Sequence, residues 1–124
     1  MNDNKTLIGV GLYYRPPEDV GPVLDALEQT EVLPGKLFEL VPEPENEFDQ
    51  GAVAIVYDGR HHVGYVRAEQ THLVHAGWHV VENVKARKSG AYGDVTHLYM
   101  TVLHESVLLM PETIRLPKRS RARL

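Results

Sequence analysis

A short apolar run followed by a tight turn constrains this chain more than any other feature. Residues 52–57, AVAIVY, are all apolar or aromatic and include three β-branched residues. The run is too short for a typical helix, so it predicts a largely buried strand. Asp58-Gly59 follows, the strongest short hairpin signal, and residues 62–66, HVGYV, supply a partner strand. The sequence therefore predicts a β-hairpin at the centre of the fold.

An acidic loop leads into this hairpin. A preceding strand over residues 37–41 is predicted to end at Pro42 and Pro44, because proline lacks the N–H that a sheet ladder needs. Residues 45–51, ENEFDQG, form the connecting turn. Asp49 lies beside Phe48 where this loop enters the buried strand. A carboxylate in that place needs a hydrogen-bond donor or a ligand.

These elements together resemble the HIRAN domain family. The resemblance rests on Glu43-Pro44, Asn46-Glu47-Phe48-Asp49, residues 52–56, Asp58-Gly59 and Val63-Gly64-Tyr65-Val66. It implies a small β-barrel related to the OB-fold, which occurs alone in bacteria and phages and also fused to fork-remodelling ATPases. In those ATPases, the family captures the 3′ end of single-stranded DNA.

The remaining patterns agree with a mainly β, α+β domain over residues 1–110. We expect an OB-like HIRAN barrel of five to six strands with two short helices. Further strands are predicted over 7–14, 78–87 and 95–104, helices over 18–30 and 67–76, and an edge strand or packed connection over 107–110. The helix over 18–30 departs from the simplest members of the family, and it either plugs the barrel or offers a contact surface.

Composition narrows the class of protein. With 124 residues the chain has the length of one domain, and without cysteine it can form neither disulfides nor cysteine-ligated zinc sites. The start of the chain lacks the basic and long apolar regions of a signal peptide, and no segment approaches the roughly twenty apolar residues of a membrane span. We therefore expect a cytoplasmic protein that does not associate with membranes.

Charge is distributed unevenly along the chain. The total is −4, but residues 111–124 carry Arg115, Lys118, Arg119, Arg121 and Arg123 against Glu112, which leaves −8 for residues 1–110. An acidic body repels a nucleic-acid backbone. The basic, flexible tail of residues 111–124 either restores the attraction through Lys118, Arg119 and Arg121 or is only a solvated terminus.

Seven histidines raise the question of a metal site. His72 and His75 share a predicted helix face, with His79 or the His61-His62 pair as further candidates, but the spacing matches no established zinc motif. The carboxylates of the loop that contains Asp49 lack a nearby lysine to complete a catalytic set, and phosphate loops and nucleophile elbows are missing. We expect no enzyme activity, no metal and no cofactor.

The family resemblance also implies a set of binding residues. Carried over position by position, they are Tyr13, Tyr14, Arg15, Phe48, Asp49 and Tyr65. Phe48 stands where DNA-end binders usually have tyrosine, and Tyr65 replaces a histidine, but an aromatic ring that stacks on bases survives both changes. Two alternatives stay open. Phe48 and Tyr65 could be core aromatics, and Asp49 could bond its own turn instead of a terminal 3′ hydroxyl.

Two functions from different classes are compatible with these patterns. In the first, the chain binds single-stranded DNA at its 3′ end beside a separately encoded helicase or nuclease, as in DNA repair or replication. In the second, it is a non-catalytic adaptor whose acidic body and inserted helix dock another protein. The aromatic residues followed by Asp49 favour the first function, and the overall acidity favours the second.

Overall fold

The structure, a computed structural model, describes residues 4–89 and 94–109 and is mainly β. The strands in this part of the chain are β1 (Asn4–Val10), β2 (Val32–Pro34), β3 (Phe38–Pro42), β4 (Val53–Tyr57), β5 (His61–Val66), β6 (Trp78–Ser89) and β7 (Asp94–His104). The helices are α1 (Pro17–Gln29) and α2 (Thr71–His75). Short 3₁₀ turns cover Leu12–Tyr14, Gly35–Leu37, Ala68–Gln70 and Glu105–Leu109.

The seven strands form a single sheet that curls into a half-barrel. Its order is β2-β6-β7-β1-β5-β4-β3, and every neighbouring pair is antiparallel. The two strands at the ends of this order, β2 and β3, are separated in sequence only by the 3₁₀ turn Gly35–Leu37. A sheet whose first and last strands are joined so closely has to curl. In keeping with this, β3 also contacts β6.

A glycine permits the two ends of the sheet to come together. A Cβ atom built on Gly35 would lie 1.8 Å from the carbonyl oxygen of Val81 on β6. Real Cβ atoms do not approach other atoms so closely, and the obstacle is backbone, which cannot rotate away. Only glycine fits where the β2–β3 connection crosses β6.

The predicted central hairpin is confirmed. Asp58 and Gly59 both have positive φ, 56° and 73°, as the central residues of a tight hairpin turn require. The turn closes with a hydrogen bond from the Arg60 N–H to the Tyr57 carbonyl at 3.2 Å. The strands on either side, β4 and β5, pair from this turn outward.

Both helices pack against the inside of the curled sheet, and both predicted helices are confirmed. Val23 and Leu27 of α1 and Val74 of α2 are buried in the core. The remaining core residues come from the strands and from the turn after β1, and they are Leu7, Leu12, Leu33, Phe38, Val53, Ile55, Val63, Val66, Val84, Leu98, Met100 and Val102. The inserted helix α1 therefore turns its apolar side into the core, as a plug does.

Several boundaries differ from the predictions. The strand predicted over 7–14 ends at Val10, because Gly11 adopts a left-handed φ of 81° and the chain then forms the Leu12–Tyr14 turn. Strand β2, with three residues, was not predicted, and the sheet has seven strands where five to six were expected. The segment 107–110 is not a strand as far as residue 109, the last described in that region.

We predict that Gly35→Ala strongly destabilises the fold. The added methyl meets the β6 backbone, and overpacking of this kind costs about 1–3 kcal/mol or more. Chemical denaturation measures the free energy of unfolding. Gly51→Ala is the matched control, because a Cβ there meets its nearest atom at an ordinary 3.4 Å. Equal stability of the two variants would show that the close contact of Gly35 with the β6 backbone is not needed to bring the two ends of the sheet together.

Candidate functional site

Tyr13 and Tyr14 project from a short rigid turn into solvent. The 3₁₀ turn is closed by hydrogen bonds from Tyr14 N–H to the Gly11 carbonyl and from Arg15 N–H to the Leu12 carbonyl, both 3.1 Å. Leu12 is buried and anchors the turn. The tyrosines are 91% and 85% exposed, with their rings edge to face at 5.4 Å. Strand alternation would have turned one of them inward, but the chain leaves the strand before reaching them.

Phe48 is also held outside the core. It is 91% exposed, which excludes the alternative that it is a core aromatic. Its loop is shaped by Asn46, whose side-chain oxygen accepts the backbone N–H of Phe48 at 2.8 Å and that of Asp49 at 3.0 Å. By accepting two successive N–H groups, the side chain provides the hydrogen bonds that these backbone groups would otherwise make in a helix or sheet. The backbone that carries the exposed ring is therefore held by polar bonds and not by packing.

Asp49 bonds its own turn through one oxygen. Its Oδ1 accepts the backbone N–H of Gly51 at 2.9 Å, and its carbonyl accepts the N–H of Ala52 at 3.0 Å. This is the turn-bonding alternative for Asp49. Its other oxygen, Oδ2, accepts no hydrogen bond from the residues that the structure describes, and the side chain is exposed. One acceptor is thus left for a ligand.

Tyr65 is tied to the same loop by a shared carboxylate. Its hydroxyl donates to Oε1 of Glu43 at 3.0 Å, and the side-chain amide of Asn46 donates to the same oxygen at 3.0 Å. Burial raises the pKa of Tyr65, and the hydrogen bond to Glu43 raises it further, so the hydroxyl stays a donor. The bonds through Glu43 connect β5 to the loop that carries Phe48 and Asp49.

Three of the predicted residues line one open depression of the surface, called the cavity below. Phe48, Asp49 and Tyr65 line a space of about 350 Å³ together with Val10 and Ala52. Such a volume is within the range of small-molecule sites. The structure brings Phe48, Asp49 and Tyr65 together, and their role in binding stays a prediction.

The other three predicted residues lie in a neighbouring groove. Tyr13, Tyr14 and Arg15 line a depression of about 640 Å³, which α1 and the start of β7 also border. The six residues predicted from the family resemblance therefore occupy two concave sites. Val10 lines the cavity and Gly11 lines the groove, so the two sites meet at the end of β1.

Arg15 links the groove to β5 and is partly neutralised. Its Nε donates to the His62 carbonyl at 2.8 Å, and its guanidinium lies 3.5 Å from Asp19 of α1. His61 contacts the other oxygen of Asp19 at 3.3 Å. With 27% of its side chain exposed, Arg15 still reaches solvent.

His62 contacts one residue of each site, Tyr65 of the cavity and Arg15 of the groove. Its ring packs edge to face on the Tyr65 ring at 4.7 Å, and its Nε2 donates to the Gly64 carbonyl at 3.0 Å. Burial lowers the pKa of His62 and the Arg15 guanidinium lowers it further, while the bond to Gly64 and the nearby carboxylates act in the opposite direction. His62 is accordingly neutral near pH 7.

Sequence reasoning missed four residues that shape the site: Asp19, Glu43, Asn46 and His62. Glu43 and Asn46 lie in the stretch that carries the family resemblance, and an Asn two residues before an exposed aromatic is a signal for a side-chain-capped turn. No local pattern pairs Asp19 with Arg15 and His61, because that contact depends on how α1 packs against β5.

Other expectations concern residues elsewhere. Lys118, Arg119 and Arg121 of the tail lie outside the described residues. Among residues 4–89 and 94–109, no group of three or more His, Asp or Glu side chains is placed to hold a metal ion. In that same part of the chain, no helix combines the length and apolar character needed to cross a membrane.

We predict that His62 titrates below its ordinary pKa of about 6.5 and that Arg15→Gln raises its pKa. Because the folded state disfavours the charged form, the unfolded chain binds this proton more readily. Acidification below about pH 6.5 should therefore lower the free energy of unfolding. NMR titration of the imidazole measures the pKa directly.

Arg60→Gln is the control for this titration, because it removes an equal charge from the exposed turn between β4 and β5. It should leave the pKa of His62 unchanged. A wild-type His62 that titrates at or above 6.5, or one that does not respond to Arg15→Gln, would contradict the assigned causes.

Comparison with known proteins gives one distant structural resemblance. No family model matches the chain, and no curated protein matches it. Among solved structures, the HIRAN domain of human HLTF is similar, with 14% sequence identity and a TM-score of 0.47 over 97% of this chain and 86% of that chain. A similarity of this size does not establish a function, so the geometry of the site has to support one.

Proposed function

We propose that this chain is a nucleic-acid-binding module that takes single strands of DNA and holds the 3′ end of the strand in the cavity beside Phe48. The observation that supports the proposal best is the exposure of Tyr13, Tyr14 and Phe48. Their rings are the most exposed aromatics in the described part of the chain, at 85–91%. Both groups of rings stand on turns fixed by hydrogen bonds.

Exposed rings on fixed turns suit unpaired bases. Every base has a π-face, and stacking on a protein aromatic contributes about 1–3 kcal/mol per base. In a duplex those faces are covered by neighbouring base pairs. A protein that offers rings at its surface in this way therefore favours single strands.

Asp49 suits the end of such a strand. An internal nucleotide would bring a phosphate toward this carboxylate, and like charges repel more strongly as water is excluded. A terminal 3′ hydroxyl can instead donate to the free Oδ2, and hydrogen bonds to charged groups contribute about 1.5–3 kcal/mol. Bonding the turn through Oδ1 and binding a hydroxyl through Oδ2 are compatible, so one side chain can do both.

Within this site, Arg15 supplies the positive charge that would contact the phosphates of the bound DNA strand. Its guanidinium has donors beyond those used by the His62 carbonyl and Asp19. Lys118, Arg119 and Arg121 would add a sequence-independent electrostatic contribution. A strand-end binder without chemistry of its own would act beside a separately encoded helicase or nuclease.

The adaptor alternative has less support. A docking helix needs an apolar face turned outward, and α1 instead buries Val23 and Leu27 in the core. The residues it leaves most exposed include Asp25, Glu28 and Gln29, which are polar.

We predict that Phe48→Ala and the double variant Tyr13→Ala/Tyr14→Ala weaken binding to single-stranded oligonucleotides by about 1–3 kcal/mol for each stacked base lost. This corresponds to between roughly fivefold and more than a hundredfold in Kd. Fluorescence polarisation with labelled strands measures the loss. Because the rings are exposed, the thermal stability should change little.

Leu108→Ala is the matched control, since Leu108 is another exposed apolar residue and lies outside both concave sites. It should bind as the wild type does. If the aromatic variants also bind as the wild type does, stacking on these rings is not the basis of binding.

A further prediction concerns the end of the strand. Asp49→Asn keeps an oxygen for the Gly51 N–H but removes the charge, so the protein should remain folded. It should lose most of the preference for a 3′ hydroxyl over a 3′ phosphate. Competition between strands that differ only in this group measures the preference.

Asp58→Asn removes the same charge from the turn between β4 and β5, where asparagine tolerates the positive φ. This control should keep the wild-type preference. The assignment of Asp49 is overturned when the wild type does not distinguish the two ends or when Asp49→Asn distinguishes them equally well.

A further inference from the structure

A row of outward-facing residues crosses four strands and begins at the cavity. Tyr65 on β5 pairs with Val10 on β1. The pairing of β1 with β7 ends at Gly9 and Leu98, and continuing this register by one residue brings Val10 next to His97. His97 in turn pairs with Arg87 on β6. Since neighbouring strands lie about 4.8 Å apart, the row extends roughly 14 Å from Tyr65 to Arg87.

A second row runs parallel to the first. Ile8 on β1 pairs with Tyr99 on β7, and Tyr99 pairs with Lys85 on β6. The alternate residues of β7, Leu98 and Met100, are fully buried, so the two rows belong to the outer face of the sheet. We call the part formed by Lys85, Arg87, His97 and Tyr99 the outer basic patch.

The outer basic patch lies in a region without acids. Residues 4–10, 83–89 and 95–104 contain no Asp or Glu, although the chain has 17 of them. Lys85 and Arg87 are exposed, and neither forms a salt bridge with any residue that the structure describes. Glu82 and Asp94 flank these segments on β6 and β7, and Glu31 borders a depression with Lys85. The patch is thus a local cationic surface on an acidic body.

One cation of the patch is held in place. The Nη1 of Arg87 donates to the Tyr99 hydroxyl at 2.9 Å, which directs the guanidinium across the sheet face. Its remaining N–H donors are available to a ligand. A fixed guanidinium beside an aromatic ring is the combination that binds a nucleic-acid strand through its phosphates and bases together.

We propose that a bound single strand leaves the cavity, crosses Val10 and continues over the outer basic patch. Its phosphates contact Lys85 and Arg87, and its bases lie against Tyr99 and His97. This inference rests on the proposed function and adds the path of the strand. It also answers how a body with a net charge of −8 over residues 1–110 can accept a polyanion.

An acidic protein segment would also be attracted to two cations. The structure favours a nucleic acid, because the patch is continuous with the cavity through aligned residues and presents rings among its cations. A nucleic-acid strand also alternates charge and aromatic surface along its length.

The test compares strand lengths in the full chain. Wild type is titrated by fluorescence polarisation with strands of 3 and 12 nucleotides, at several salt concentrations, beside Lys85→Gln/Arg87→Gln. Wild type should bind the longer strand at least tenfold more tightly. The double variant should lose this gain, keep wild-type affinity for the short strand, and show a salt slope smaller by about 1.4, since each phosphate contact contributes about 0.7 for single strands.

Lys36→Gln/Arg60→Gln is the matched control, because it removes two exposed positive charges away from the patch. It should retain the length dependence. Wild type that binds both strands equally, or a patch variant that keeps the length dependence, overturns the path while leaving the cavity proposal in place. Wild type that binds no strand overturns both.

A second measurement does not depend on the variants. NMR signals of the Tyr99 and His97 rings in the wild type should shift with the 12-nucleotide strand and stay unchanged with the 3-nucleotide strand. If the ring signals stay unchanged when the 12-nucleotide strand is bound, that strand does not cross the outer basic patch.

Discussion

Strand β1 is hydrogen-bonded along both edges, and the rest of the molecule depends on this. It joins the β3–β4–β5 meander to the β6–β7 hairpin. The packing around β1 is tight, since a Cβ on Gly9 would lie 2.7 Å from Ile55 Cδ1 and 3.3 Å from Leu98 Cβ. Beyond Gly9 the strand ends at Val10, and the chain enters the 3₁₀ turn that carries Tyr13 and Tyr14. One strand therefore holds the two halves together and also positions the exposed rings.

The charges of the two ends of the proposed path differ in sign, and distance keeps them independent. Asp49 lines the cavity and Glu43 accepts the Tyr65 hydroxyl there, while Arg87 lies about three strand spacings from Tyr65 across β1 and β7. The spacing from Tyr65 to Arg87, roughly 14 Å, exceeds the screening length of about 10 Å at 0.1 M salt. In the proposed complex, the carboxylates would therefore select a hydroxyl at the end of the DNA strand without cancelling the attraction of the patch for phosphates.

Local chemistry made part of this structure predictable. Asp58-Gly59 fixed the hairpin because few residues tolerate two successive positive φ values. The end of β1 was not predictable, because the apolar alternation continues past Gly11, and the turn is set by Leu12 packing near Gly64. Strand β2 has only three residues and is defined by its pairing with β6. The outer basic patch likewise requires the strand register, which no local pattern contains.

The cavity residues are held by hydrogen bonds that form without a ligand. Glu43 accepts bonds from Tyr65 and Asn46, and Asn46 accepts the N–H groups of Phe48 and Asp49. A loop that is ordered before binding loses little conformational entropy when it binds. More of the free energy of the proposed stacking and hydroxyl contacts would therefore appear as affinity. In the proposed complex, fixed geometry would also favour selectivity, because moving Asp49 aside to admit a 3′ phosphate would break its bond to Gly51.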